Sequence, residues 1–357
     1  MSGIDYNQID FGVFLPISNG GWIISDTTPK VEGSYEQNRN AAVLAEEIGL
    51  DFIMSMAKWR GYGGRTNHWG TSLESMTMMA GLAEATKRVK VYATVHTLLF
   101  HPAVAAKMFA TLDQISNGRV GMNVVSGSFS KEFSQMGMWP EHLDHDARYD
   151  LAREWMQVVK RLWSEERVDH QGTFYQLTDC MSNPKPVQKP RPSIICAGQS
   201  EKGMGFTIEE GDACFIGGKD VEELAQVSKR AKEMARERDK PIKTYAMFGI
   251  YPGETDAEAE ARMKRYEAGV DREAIVGLLE SYGMAVDGKE TSIAARARTA
   301  FMSEPISGSA ATIVAKIRTI IETAELDGMM LTFPDYDADM RFFGERVLPE
   351  LRANRGS

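Results

Sequence analysis

Eight short apolar or β-branched runs alternate with longer stretches of helical period along this chain, and that alternation limits the folds open to it. The runs fall at 11–17, 51–55, 89–94, 119–125, 193–198, 213–217, 243–251 and 328–333. Runs of this length bounded by turn signals read as strands buried on both faces. The stretches between them repeat apolar residues every three or four positions, as helices with one buried face do. Residues 34–49 open on Ser34, a good N-cap, and end at Gly49. Residues 72–87 open on a Ser-x-x-Ser start. Residues 102–118 carry Pro102 in the first turn and Asn117-Gly118 at the end, with Val104, Met108, Leu112 and Ile115 expected to face inward. Further helices are expected at 146–164, 200–210, 220–237, 311–324 and about 338–352.

Eight strand–helix repeats predict an α/β fold of the (β/α)₈ barrel type. A doubly wound sheet is the competing architecture. The strand count favours the barrel, as does "PISNGGW" after the first strand, which lacks the GxGxxG order of a dinucleotide turn. Residues 168–178 alternate around Gln171-Gly172 and read as an inserted hairpin. Residues 252–308 are highly charged and read as a helical insertion within a single domain spanning 1–357.

The 357 residues are 43% hydrophobic and 25% charged, as in a soluble globular chain. The formal charge of -9 and the lack of a Lys/Arg block argue against a nucleic-acid partner. No stretch is long and apolar enough to span a membrane, and "MSGIDYNQID" has no signal-peptide pattern. Cys180, Cys196 and Cys214 are odd in number and form no CxxC, which fits buried thiols in a reducing cytoplasm. His142 and His145 in "HLDHD" lack the further ligands of a zinc site, so no metal is expected.

In a barrel, chemistry sits just beyond the C-terminal ends of the strands. That rule selects Met56, Ala57 and Lys58 after the second strand, Thr94 at the end of the third, and Asn123 and Glu132 in and after the fourth. It also selects Ser200 after the fifth and Phe215 at the sixth. An amide inside an apolar strand, as at Asn123, needs a partner in the fold or in a ligand. Ser200 opens a helix, where an anion can bind, although a plain N-cap accounts for it equally. Arg148 and Tyr149 in "ARYD" also stand at a helix start. Arg148 suits a phosphate, or a surface salt bridge.

The segments "GGWIIS", "SMAKWRGYGG", "LESMTMMAGLA", "NVVSGSFSKEFSQMGMWP", "ARYD" and "ICAGQSEKGMGF" resemble the bacterial-luciferase-like flavin monooxygenases, and within them the branch that opens pyrimidine rings. The resemblance implies an enzyme that takes reduced FMN from a separate NADH- or NADPH-dependent flavin reductase. It then oxidises a small heterocyclic substrate with O₂ through a flavin N5-peroxide. Thr94 and Asn123 would form the oxygen pocket, and Met56, Ala57, Lys58, Glu132, Arg148, Tyr149 and Ser200 would hold FMN or substrate. Lys58 and Glu132 would also orient or polarise the substrate, next to Ser128, Phe129 and Phe215. A homo-oligomer is expected. One departure stands out: Ser128-Phe129-Ser130-Lys131-Glu132 replaces the branch's Trp-Gln-Lys-Pro-Glu. Losing that Trp could admit a larger ring such as riboflavin, an aromatic sulfone or a halogenated aromatic. A deazaflavin-dependent dehydrogenase and a non-catalytic flavin-binding protein are the rival readings.

Overall fold

In a computed structural model describing residues 4–127, 129–281 and 299–353, the eight expected runs are the staves of a closed parallel barrel. In chain order, β1 is Asp10–Phe14, β2 Phe52–Met54, β3 Lys90–His96 and β4 Val120–Val125. A hairpin follows, β5 Val168–Gln171 with β6 Gln176–Cys180, paired antiparallel as expected. Then come β7 Ser193–Cys196, β8 Ala213–Ile216, β9 Lys243–Pro252, β10 Glu304–Gly308 and β11 Gly328–Thr332. Around the barrel the order is β1-β2-β3-β4-β7-β8-β9-β11, and β11 returns to β1. The doubly wound alternative is thereby excluded, because an open sheet would leave two edges.

One interior layer shows how the barrel closes. Phe52 stacks on Tyr245 and meets Tyr92 edge-on, with ring centroids 5.7 Å apart in both pairs. Glycine faces each ring on the neighbouring strand. A Cβ on Gly12 would lie 2.3 Å from the Phe52 ring, one on Gly121 2.1 Å from Tyr92, and one on Gly328 2.7 Å from Tyr245. Large and small residues thus interdigitate to fill the barrel's N-terminal end. The Tyr hydroxyls find polar partners there: Tyr92 meets Ser193 Oγ at 2.7 Å, and Tyr245 donates to the Asp10 carboxylate.

The helices pack outside. They are α1 Tyr35–Glu47, α2 Ser75–Ala85, α3 Pro102–Ser116, α4 Ser130–Ser134, α5 His145–Ser164, α6 Glu201–Glu210 and α7 Val221–Glu237, with Ala310–Ala324 before β11. Two local expectations need correction. α2 is capped not by a serine but by Glu74, whose carboxylate accepts from Met76 N and Thr77 N at 2.9 and 2.7 Å. The buried face of α3 runs through Ala105, Phe109, Leu112 and Ser116, leaving Val104 and Ile115 exposed. The two faces differ by about one helical position. Apolar residues lie on both, and the small Ala105 and Ala106 let α3 approach its neighbours closely.

Residues 252–308 are not purely helical. After α8 Asp256–Ala268 and α9 Arg272–Ser281, β10 extends the sheet along the C-terminal half of β9. Two of the contacts that tie this region back to the barrel involve buried carboxylates. Arg262 donates two 2.7 Å hydrogen bonds to the Asp339 carboxylate, while Asp271 accepts from Thr66 N and Oγ1 at 2.7 and 2.8 Å. The three cysteines are unpaired, and burial pushes the Cys214 thiol up to about 12. Among the described residues no helix is long and apolar enough to cross a membrane.

Removing the Asp339 carboxylate leaves Arg262 desolvated and unpaired. Asp339→Ala should therefore lower stability by about 3 kcal/mol in urea unfolding, more than Arg346→Ala, whose partner Glu254 is exposed.

Candidate functional site

With its N-terminal end filled, the barrel opens at the opposite end into two connected cavities. Val125, Ala197 and Phe215 line both, so they form one two-lobed site.

The smaller lobe, ≈ 220 Å³, lies over β2, β3 and β4. It brings together Met56, Ala57, Lys58, Thr94, Asn123, Phe129, Glu132 and Phe215, sequence-selected residues in or just after four strands, β2, β3, β4 and β8, and in the loop after β4. Lys58 and Glu132 form an ion pair, Nζ to Oε2 3.2 Å, with side chains only 8% and 4% exposed. Glu132 also accepts from Trp59 N at 2.5 Å, which uses its second oxygen. Burial lowers the Lys58 pKa from the usual lysine value, and the attraction of Glu132 opposes that shift. The ammonium lies 4.8 Å from the Tyr62 ring centroid and 4.7 Å from that of Phe129, within cation–π reach of both. A cation so placed can donate to a ligand oxygen while its counter-charge stays fixed.

Behind this lobe, Thr94 Oγ1 donates to the Ser55 carbonyl and accepts from Asn123 Nδ2 at 2.8 Å. Asn123 thus has its partner in the fold, and the rest of its amide faces the lobe. His96 is buried beside them, with Nε2 3.3 Å from Ala57 O, and burial lowers its pKa.

The larger lobe, ≈ 520 Å³, is lined by Tyr149, Gly198, Gln199 and Ser200 and extends over β8 and β9. Ser200 does cap α6, accepting from Gly203 N at 3.1 Å. The first N–H groups of α6 have no partner within the helix and can receive an anion. A Cβ on Gly198 would come within 2.8 Å of the Tyr149 hydroxyl. Burial raises the Tyr149 pKa against hydrogen bonds to Ser126 and Ser200, so the phenol stays a neutral donor. Arg148 lines neither lobe. Its Nη1 donates to Leu143 O at 3.0 Å, its guanidinium lies 4.8 Å from the Trp139 ring centroid, and its buried Nε has no partner among the described residues. Ser128 lies outside the described residues. His145 reaches the larger lobe, but no cluster of metal-ligating side chains occurs among the described residues.

Sequence reading missed most of the aromatic wall of the smaller lobe: Phe14, Trp22, Tyr62 and Trp69. They come from β1 and from loops after β1 and β2, and no local pattern shows that such residues converge. Trp22 and Trp69 meet edge-on at 5.1 Å, and His68 stacks on Trp69 at 5.5 Å. His68 is fully buried, and burial pushes its pKa down to about 3.

That depression makes the wall acid-sensitive. The unfolded chain binds a proton at His68 near pH 6.5 and the folded chain only near pH 3, so acid favours unfolding between these values. His68→Gln should flatten the fall in urea-measured stability between pH 6.5 and 3 by up to about 1.4 kcal/mol per pH unit. An unchanged slope would show that folded His68 is already charged.

Comparison with known proteins points to one family. The family model described as "Luciferase-like monooxygenase" matches residues 9–326. A relative named "Pyrimidine monooxygenase RutA" from Methylorubrum extorquens is 38% identical over 363 residues, 98% of this chain and 94% of its own. One of the same name from Acinetobacter baylyi is 38% identical over 357 residues, 96% and 95% of the two chains. Among solved structures, a riboflavin lyase (RcaE), determined with modified FMN and riboflavin, superposes with a TM-score of 0.84 over 97% of this chain and 91% of its own. At 23% identity it speaks for the fold alone.

Proposed function

The chain belongs to the luciferase-like monooxygenases, an oxidoreductase family, and we propose that it uses reduced FMN and O₂ to oxidise a small, single-ring, carbonyl-bearing heterocycle of the pyrimidine class. The observation that carries this reading is the buried Lys58–Glu132 pair in the smaller, aromatic-walled lobe, beside Thr94 and Asn123.

The residues present fit a flavin mononucleotide. Tyr149, Ser200 and the start of α6 would hold the phosphate. Met56, Ala57, Asn123 and Glu132 would border the ring system. When bound there, reduced flavin would supply the electrons and the reactivity towards dioxygen. Lys58 donates hydrogen bonds to the substrate carbonyl and draws electron density from it, while Glu132 fixes the ammonium and keeps it charged. Phe129, Tyr62 and Trp69 exclude water, which strengthens that polarisation. The reduced flavin is delivered by a separate NADH- or NADPH-dependent reductase, and the three unpaired thiols suit a cytoplasmic setting.

Two features favour a single ring over a larger substrate. A lobe of ≈ 220 Å³, which the flavin ring would share with the substrate, is already smaller than the roughly 300–1,000 Å³ of drug-sized sites and leaves room for only a small ring. Phe129 stands against Lys58, which gives the lobe an aromatic wall without a Trp at 128. The hydride-transfer reading is not favoured, since relatives at 38% identity are named monooxygenases.

Uracil supplied with FMN, NADH, a flavin reductase and ¹⁸O₂ should yield a product carrying one labelled oxygen by mass spectrometry. The same assay on thymine and on larger ring systems reads the size limit. Labelled product from bicyclic substrates but not from uracil or thymine would overturn the single-ring assignment. Lys58→Met should lower kcat/KM roughly 10- to 150-fold, the loss of one charged hydrogen bond. Its apparent activity should also lose the alkaline limb that the wild type shows below the usual lysine range.

A further inference from the structure

The hydroxyl groups behind Thr94 and Asn123 decide which atom of the Asn123 amide the site presents. β2 leaves the sheet after Met54, and its last ladder bond to β3 is Ser55 N donating to Tyr92 O at 3.1 Å. Beyond that point β3 keeps β4 on one edge but has no strand on its β2 edge, and side chains complete the pairing there. Thr94 N donates to Ser75 Oγ at 2.9 Å, and the Ser55 and Ser75 hydroxyls lie 2.5 Å apart. Both serines are fully buried and line neither lobe.

A proton count fixes the rest. The Ser55 carbonyl can only accept, so Thr94 Oγ1 gives it its one proton. The group on the other side of Thr94 Oγ1 must then be a donor, and it is Asn123 Nδ2 at 2.8 Å. Asn123 Oδ1 is left for the cavity, and among the described residues no donor reaches it.

We propose that Ser55 and Ser75 are positioning residues that hold Thr94 so that Asn123 shows the site an acceptor, and that this acceptor selects a ligand bearing an N–H at that point. The inference rests on the flavin reading above. Reduced flavin carries a ring N–H that the oxidised form lacks, so the site holds the reduced form more tightly. Without the Thr94 hydroxyl the Asn123 amide is free to turn, and the discrimination is lost.

The test is a binding ratio rather than turnover. Oxidised FMN and dithionite-reduced FMN are titrated anaerobically into the wild type and into Thr94→Val, Thr94→Ser and Ser75→Ala. The wild type should favour reduced FMN. Thr94→Val and Ser75→Ala should reduce that preference roughly three- to tenfold, as loss of one neutral hydrogen bond does. Thr94→Ser, which keeps the hydroxyl, should retain it. A tenfold change also moves the midpoint potential of bound flavin by about 30 mV. A purely structural role would weaken both forms alike and leave the ratio unchanged, and that result would overturn the proposal. So would a wild type with no preference. If Ser75→Ala does not fold, the two Thr94 variants still decide. Failure of the wild type to bind FMN in either form would instead defeat the flavin reading itself.

Discussion

The layer of Phe52, Tyr92 and Tyr245 across the barrel is the packing constraint on which the rest depends. Three rings, each opposite a glycine, fill the N-terminal end. The open space lies at the other end, where the strands stop at different heights. β2 stops early, after Met54, and the chain then swings across the mouth through Lys58, Tyr62 and Trp69. The short strand thus creates the gap that becomes the smaller lobe, and the loop that leaves it becomes the wall.

Within that lobe a charge pair is kept where water is scarce. A desolvated Lys–Glu pair contributes little to stability, because the cost of removing both ions from water offsets their attraction. Its value here is placement. Glu132 is held by Trp59 N as well as by Lys58, and Lys58 is bracketed by Tyr62 and Phe129, so the ammonium has little freedom. Thr94 and Asn123 show the same economy: each polar atom that faces inward has a stated partner, and what is left over faces the cavity. α9, tied by Asp271 to the loop after β2, adds Ser281 to this wall, which makes part of the inserted region a part of the site.

Several of these features were legible in the chain itself. The eight apolar runs matched eight staves because a parallel barrel buries both faces of every strand, and continuous hydrophobicity is local information. Ser34, Pro102 and Asn117 marked helix ends because capping is settled within one turn. The strand-end rule and the family resemblance together picked Lys58, Thr94, Asn123, Phe129 and Glu132, which do meet in one lobe. The inward face of α3 was misread because Val104 and Ile115 are as apolar as the residues that were buried instead. Apolar character alone does not separate them from Phe109 and Leu112, which the packing of α3 against its neighbours buries.

The sequence by itself determined the architecture, the strand ends and the chemical types available at them, since periodicity, turn residues and capping act over a few neighbours. Tertiary structure alone decided that Trp22 and Trp69 face the same lobe as Lys58, that Arg148 rests on Trp139 rather than on a cavity wall, and that β10 joins the sheet. It also decided that Asn123 turns its amide oxygen to the cavity. That orientation depends on a carbonyl, two serines and a threonine from three separate segments, and only their approach in space leaves the amide a single way to satisfy its hydrogen bonds.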